Sequence, residues 1–164
     1  NTKLVGVPME NDGMDLNALE DALKSNANVR FIYCIPNFQN PSGIVTSLEK
    51  RMGIYALAKK YDVMILEDNP YGETRWEGEE IAAIKSMDTE GIVVYCGSFS
   101  KLLAPGMRVG YVLADKEVAS KITVVKQTSD VHTNLMAQIT VHEFVTKYDL
   151  AAHIEGNRAI YGRR

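Results

Sequence analysis

Residues 92–111 read "IVVYCGSFSKLLAPGMRVGY". The run Ile92–Cys96 is continuously apolar and rich in β-branched residues, which predicts a buried strand. It breaks at Gly97-Ser98-Phe99-Ser100 and delivers Lys101. The turn signal Ala104-Pro105-Gly106 then leads to Arg108 and a second apolar run, Val109–Leu113. The interval between the runs is too short for a crossover helix, so the second strand is expected antiparallel to the first. Hydroxyls, an amine and a guanidinium thus stand at the mouth of the most apolar strand, and packing alone does not explain them.

Outward from this stretch the chain alternates. Strands are expected at Leu4–Val7, Phe31–Ile35 and Val63–Leu66, besides the two above. A helix is expected over 15–25, with Asp15 as its N-cap and Leu16, Leu19 and Leu23 at helical spacing. Another is expected over 46–62, opened by Thr46 or Ser47 with Glu49 completing a capping box. Its apolar face would be Leu48, Met52, Tyr55, Leu57 and Ala58. From Lys116 onward the chain reads as two helices divided near 128–134. Strand and helix in alternation predict an α/β fold, a mainly parallel sheet with flanking helices. The continuous apolar strands suggest a sheet covered on both faces.

The length of 164 residues fits one domain. Charged residues at 24% and hydrophobic ones at 46% exclude a disordered or fibrous chain. A net charge of −3, with only the short basic pairs Lys59-Lys60 and Arg163-Arg164, gives no footprint for nucleic acid. No apolar run reaches the ~18 residues of a membrane span, and the N-terminus lacks a secretory signal pattern. Cys34 and Cys96 each sit in an apolar run and fit no metal-ligand spacing. Both are expected to be buried thiols of a cytoplasmic protein.

Ligands of open α/β sheets bind beyond the carboxyl ends of the strands. After Phe31–Ile35 comes "PNFQNPSG", with Asn40. After Val63–Leu66 comes "EDNPYGE", with Asp68 and Tyr71. After Ile92–Cys96 comes "GSFSK", with Ser98, Ser100 and Lys101, and Arg108 returns from the same end. Each has an ordinary alternative: a turn, a helix cap, a packed aromatic or a solvated cation. Together they describe one ligand. Arg108, the serines and the amides of the Gly97–Ser100 turn suit a phosphate. Lys101 suits an aldehyde, Asp68 a protonated ring nitrogen, and Asn40 and Tyr71 a phenolate oxygen. That ligand is pyridoxal 5′-phosphate (PLP). His132, in a polar helix break, reads as structural or solvated.

"PNFQNPSG", "EDNPYGETRWEGE" and "GSFSKLLAPGMRVGYV", in this order, resemble the fold-type I, class I/II PLP-dependent aminotransferases. The branch is that of aminoadipate/kynurenine-type, LysN-like and valine–pyruvate-like enzymes and of the aminotransferase-like domains of MocR regulators. The resemblance also takes in "GMDLNALEDAL" and "HTNLMAQ". It implies an aspartate-aminotransferase-like fold. Lys101 would hold the cofactor as a Schiff base and shuttle a proton. Asp68 would bind the pyridine nitrogen, Asn40 and Tyr71 the ring oxygen, and Ser98, Ser100 and Arg108 the phosphate.

The implied reaction moves an amino group from an amino acid to a 2-oxo acid, in a cytoplasmic homodimer. The resemblance also implies that residues 1–164 are part of the large, PLP-binding domain. The N-terminal segment and the small C-terminal domain would be missing, and the piece alone would be inactive. No starting Met is present, and Arg158 and Arg163 do not match the family's carboxylate-binding arginine. The same motifs fit a PLP-binding effector domain of a MocR-type regulator or a PLP lyase. A serine β-lactamase reading of Ser98-x-x-Lys101 lacks the S-D-N and K-T-G partners it needs.

Overall fold

Asp15 accepts hydrogen bonds from the amides of Asn17 and Ala18 at 2.8 and 3.1 Å, and so starts helix α1 (Leu16–Ser25). The computed structural model describes residues 3–163, so Arg164 of the terminal basic pair lies outside the described residues. The chain folds as two units. The first takes the residues up to Asp68 and Ile81–Tyr95, and the second takes Asn69–Glu80 and the residues from Cys96 onward.

The first unit opens on a small antiparallel hairpin, β1 (Met9–Glu10) with β2 (Gly13–Met14). The expected strand at Leu4–Val7 does not form. Leu4 is 87% exposed and finds no neighbouring strand to cover it. After α1, strand β3 (Phe31–Cys34) lies beside β4 (Met64–Asn69), and β4 lies beside the first half of β5 (Val93–Ser98). β3 and β4 are parallel, with Phe31 opposite Met64 and Cys34 opposite Glu67. Helix α2 (Leu48–Tyr61) connects them.

The core gathers Leu19 and Leu23 of α1, Ile54 and Ala58 of α2, Ile32 and Cys34 of β3, Ile65 of β4 and Val93 of β5. Each buried Leu, Ile or Val here contributes about 1.5–3 kcal/mol through burial. Only one face of β3 is covered. Phe31 and Tyr33, which point the other way, are 46% and 49% exposed, so the expectation of two covered faces fails here.

Helix α2 departs from its expected face. Ser47 caps it by accepting from Lys50 N at 3.2 Å, which leaves Glu49 one residue short of the capping-box position. The buried residues are Arg51, Ile54 and Ala58, whereas Leu48 and Met52 are exposed. Arg51 is wholly buried because its guanidinium meets five oxygens. Nε donates to Thr46 O at 2.9 Å. Nη1 donates to Ile81 O and Ala82 O, each at 3.1 Å. Nη2 donates to Pro36 O at 3.1 Å and to Asn37 Oδ1 at 2.8 Å.

The turn that leads into β5 is built on the buried carboxylate of Asp88. It accepts from the amides of Glu90, Gly91, Ile92 and Val93 at 2.9–3.2 Å and from Lys85 Nζ at 2.9 Å. Burial alone would raise its pKa, but the Lys85 ammonium and the Val93 and Ile92 amides outweigh burial and hold it below 3.8. The folded state therefore takes up this proton at lower pH than the unfolded chain. The stabilisation is intact above pH 3.8 and disappears as the pH falls below it. In urea titrations, the stability gap between wild type and Asp88→Asn should be wide at neutral pH. It should close in acid.

In the second unit the end of β5 neighbours β6 (Gly110–Leu113). Phe99 N donates to Val109 O at 3.1 Å, and Gly97 faces the ring of Tyr111. The partner number falls from 111 to 109 as β5 advances from 97 to 99, so this pair is antiparallel, as its short connection requires. A Cβ on Gly97 would collide with the tip of the Tyr111 ring, so a larger residue there would need that ring to move aside. Three helices follow: α3 (Lys116–Ser129), α4 (Leu135–Lys147) and α5 (Leu150–Tyr161). The expected break holds, and Asn134 caps α4 by accepting from Ala137 N at 3.0 Å. A second break was not expected. Asp149 accepts from Ala152 N at 3.0 Å and starts a new helix. Among the described residues no helix is long and apolar enough to cross a membrane.

Candidate functional site

Strand alternation sets the first unit's contribution. On β4, Glu67 turns into the core and Asp68 turns to the open face. Glu67 is fully buried and accepts from the amides of Ile84 and Lys85 at 2.9 and 2.8 Å. Burial raises its pKa, against the pull of these amides and of the nearby Arg51 charge. Its fixed position leaves Asp68 half-buried and facing outward, where Asp68 Oδ2 accepts from the Tyr33 hydroxyl at 2.8 Å. Asn40 is exposed on the loop after β3. Gln39 braces that loop by accepting from Ser42 N at 3.0 Å and from its hydroxyl at 2.5 Å. Arg51 holds the start of the loop through Asn37. Asn40 thus follows the carboxyl end of β3 and Asp68 stands at the carboxyl end of β4, the usual ligand position in such sheets.

The second unit supplies Tyr71, Ser98, Ser100, Lys101 and Arg108. Ser98 lies in the last position of β5, not in a turn, and its Oγ accepts from Ser100 N at 3.1 Å. Phe99 N is taken by Val109 O. The Phe99 and Ser100 amides are therefore already engaged and cannot cradle an anion, which corrects that part of the expectation. The hydroxyls of Ser98 and Ser100 keep their protons to donate. Arg108 adopts φ 55°, and its Nη1 returns to Ser100 Oγ at 3.4 Å and Pro105 O at 3.0 Å. A guanidinium beside two hydroxyls suits a phosphate-sized anion. Lys101 is exposed on the turn after β5, with Nζ 5.9 Å from the centre of the Tyr71 ring. An exposed amine there can meet a carbonyl. Lys101 and Arg108 are both open to solvent.

Some neighbours were not foreseen. The carbonyl of Leu102, next to Lys101, accepts from Asn157 Nδ2 at 3.1 Å and lies 2.8 Å from His153 Nε2, both on α5. His153, not His132, is the histidine beside the lysine turn. Its spacing from Asn157, one helical turn apart, was the available signal. Cys34 is buried, and burial with the nearby Glu67 charge pushes its thiol up to about 12, so it is inert at neutral pH. Cys96 is half-buried, contrary to expectation, and neither cysteine forms a disulfide. No metal-binding group of side chains occurs among the described residues. A cavity of about 450 Å³ in the second unit, lined by Arg75, Trp76 and Arg158 among others, includes none of the expected site residues.

Fold and site residues together define an α/β protein with an exposed amine, two hydroxyls and a guanidinium on one strand-to-strand connection. The chain belongs to the aminotransferase class I and II family, whose profile matches residues 2–164. It is 40% identical over 156 residues to aromatic-amino-acid aminotransferase 1 of Thermococcus litoralis, covering 93% of this chain and 37% of that protein. It superposes with TM-score 0.90 on LysN, an α-aminoadipate aminotransferase of Thermus thermophilus complexed with N-(5′-phosphopyridoxyl)-L-leucine. The identity there is 34%, and the match covers 97% of this chain and 41% of the other. It is also 29% identical over 162 residues to the probable rhizopine catabolism regulatory protein MocR of Rhizobium meliloti, covering 99% of this chain and 32% of that one. The chain thus spans well under half the length of these relatives.

Proposed function

We propose that the full-length protein is a PLP-dependent aminotransferase that moves an amino group from an amino acid to a 2-oxo acid. The observation that carries this reading is the 97–108 connection, where Lys101 stands exposed beside the Ser98, Ser100 and Arg108 cluster. The donor set fits PLP. Arg108 and the two hydroxyls would hold the phosphate, Asp68 the pyridine nitrogen, and Asn40 and Tyr71 the ring oxygen. The bound cofactor supplies a carbonyl for amine exchange and a ring that accepts electron density. Lys101 carries the nucleophilic amine and serves as the base at the substrate's Cα. Asp68, as an anion, favours the protonated ring nitrogen.

Residues 1–164 would then be part of the PLP-binding large domain of a cytoplasmic homodimer, the N-terminal segment and small C-terminal domain lying outside this sequence. The relatives' names point to aromatic or aminoadipate-type donors. Addition of PLP to the full-length protein should produce a visible absorbance band, and an amino acid donor without acceptor should bleach it. Absence of any band would refute the cofactor; a band that no amino acid bleaches would refute the enzyme. The second outcome would favour a PLP-sensing regulator, the reading supported by the matches to MocR and to HTH-type regulators of Bacillus subtilis.

A further inference from the structure

On the open face of the first unit, Tyr33, which the expected site residues did not include, pairs with Asp68, which they did. Tyr33 stands opposite Leu66 in the parallel register of β3 and β4. Asp68 lies two residues beyond Leu66 and so projects from the same face. The Tyr33 hydroxyl reaches it at 2.8 Å. Tyr33 is 49% exposed although aromatic and in mid-strand, so core packing does not account for it. The alternate positions Ile32 and Cys34 carry the packing instead.

We propose that Tyr33 is a positioning residue for the cofactor ring, acting through Asp68; this rests on the assignment of Asp68 to the ring nitrogen. The terminal torsion of an aspartate carboxylate is broad and is not fixed by its own rotamer preference. A phenol that donates to Oδ2 fixes that torsion. It leaves Oδ1 for a second donor, and the second donor is the protonated ring nitrogen. The phenol has one proton and gives it to Asp68, so it does not compete for the nitrogen. Tyr33 therefore selects the carboxylate rotamer that the ring needs before the ring arrives, which lowers the ordering cost of binding.

The test is a double-mutant cycle on the full-length protein, read by PLP affinity and by the position of the visible absorbance band. Tyr33→Phe keeps the ring and removes the hydroxyl. It should weaken PLP binding about tenfold, the loss of one hydrogen bond to a charged group, and should shift the band. In an Asp68→Ala background the same change should alter affinity less than about twofold and leave the band in place. Thermal stability without PLP should stay close to wild type in Tyr33→Phe, since the hydroxyl is on an open face. Equal losses in both backgrounds, or none in either, would overturn the role of Tyr33 and leave the cofactor assignment standing. A wild type with no Lys101-dependent band would overturn the cofactor assignment and this inference with it.

Discussion

Lys101→Ala should abolish the Lys101-dependent absorbance of the full-length protein with PLP. It should also lower transamination by about 10²–10⁴-fold, the usual contribution of a positioned proton-transfer group. The fold should not suffer. Lys101 is exposed on a turn, so its truncation belongs with surface changes that cost within about 0.5 kcal/mol. The two readouts separate chemistry from folding. A variant that melts like wild type but neither changes colour nor turns over places the amine at the reacting carbon. Undiminished turnover in Lys101→Ala would sink the assignment. Added methylamine, which replaces the base without the tether, should restore part of the rate.

Arg51→Met should destabilise the protein by about 3–5 kcal/mol, the cost of breaking a buried charge arrangement by removing one partner. Five acceptors lose their donor at once: the carbonyls of Thr46, Ile81, Ala82 and Pro36, and Oδ1 of Asn37. Glu67, buried nearby, loses the positive charge that offsets its desolvation. Arg51→Lys should recover only part of the loss, because one ammonium cannot reach oxygens on three segments. Urea midpoints of the three proteins measure this. PLP affinity should fall as well, since Asn37 anchors the loop that carries Asn40. A Met variant as stable as wild type would mean that the segments hold themselves.

The contrast between these two residues shows what the sequence could and could not say. Lys101, Asp68 and Asn40 were legible because each comes just after an apolar run, and Arg108 because it comes just before one, a local pattern that ties polar chemistry to a fixed place. Arg51 was invisible for the opposite reason. In a helix written "LEKRMGIYALAKKY", a cation beside Lys50 reads as solvent face, and the oxygens that bury it come from residues as distant as Ala82. Its true face, with Ile54 and Ala58, appears only when those carbonyls are in view. Tyr33 was missed because a tyrosine in a β-rich run reads as packing, and its partner lies 35 residues on. Leu4–Val7 failed because an apolar run becomes a strand only where a neighbour offers hydrogen bonds. The start of α5 failed because Asp149 follows α4 so closely that two helices read as one.

The Leu102 carbonyl has a consequence for motion. It is held by Asn157 and lies against His153, and α5, which carries both, has no buried residue. Such a helix sits at the low end of the range of opening free energies in a folded chain. When α5 detaches, the carbonyl beside Lys101 loses its partners, so the lysine turn can be no more persistent than the helix that ties it. Amide exchange should therefore report one shared opening rate for the 101–103 turn and for α5. A contact that pins α5 would slow both, at a distance from the amine itself.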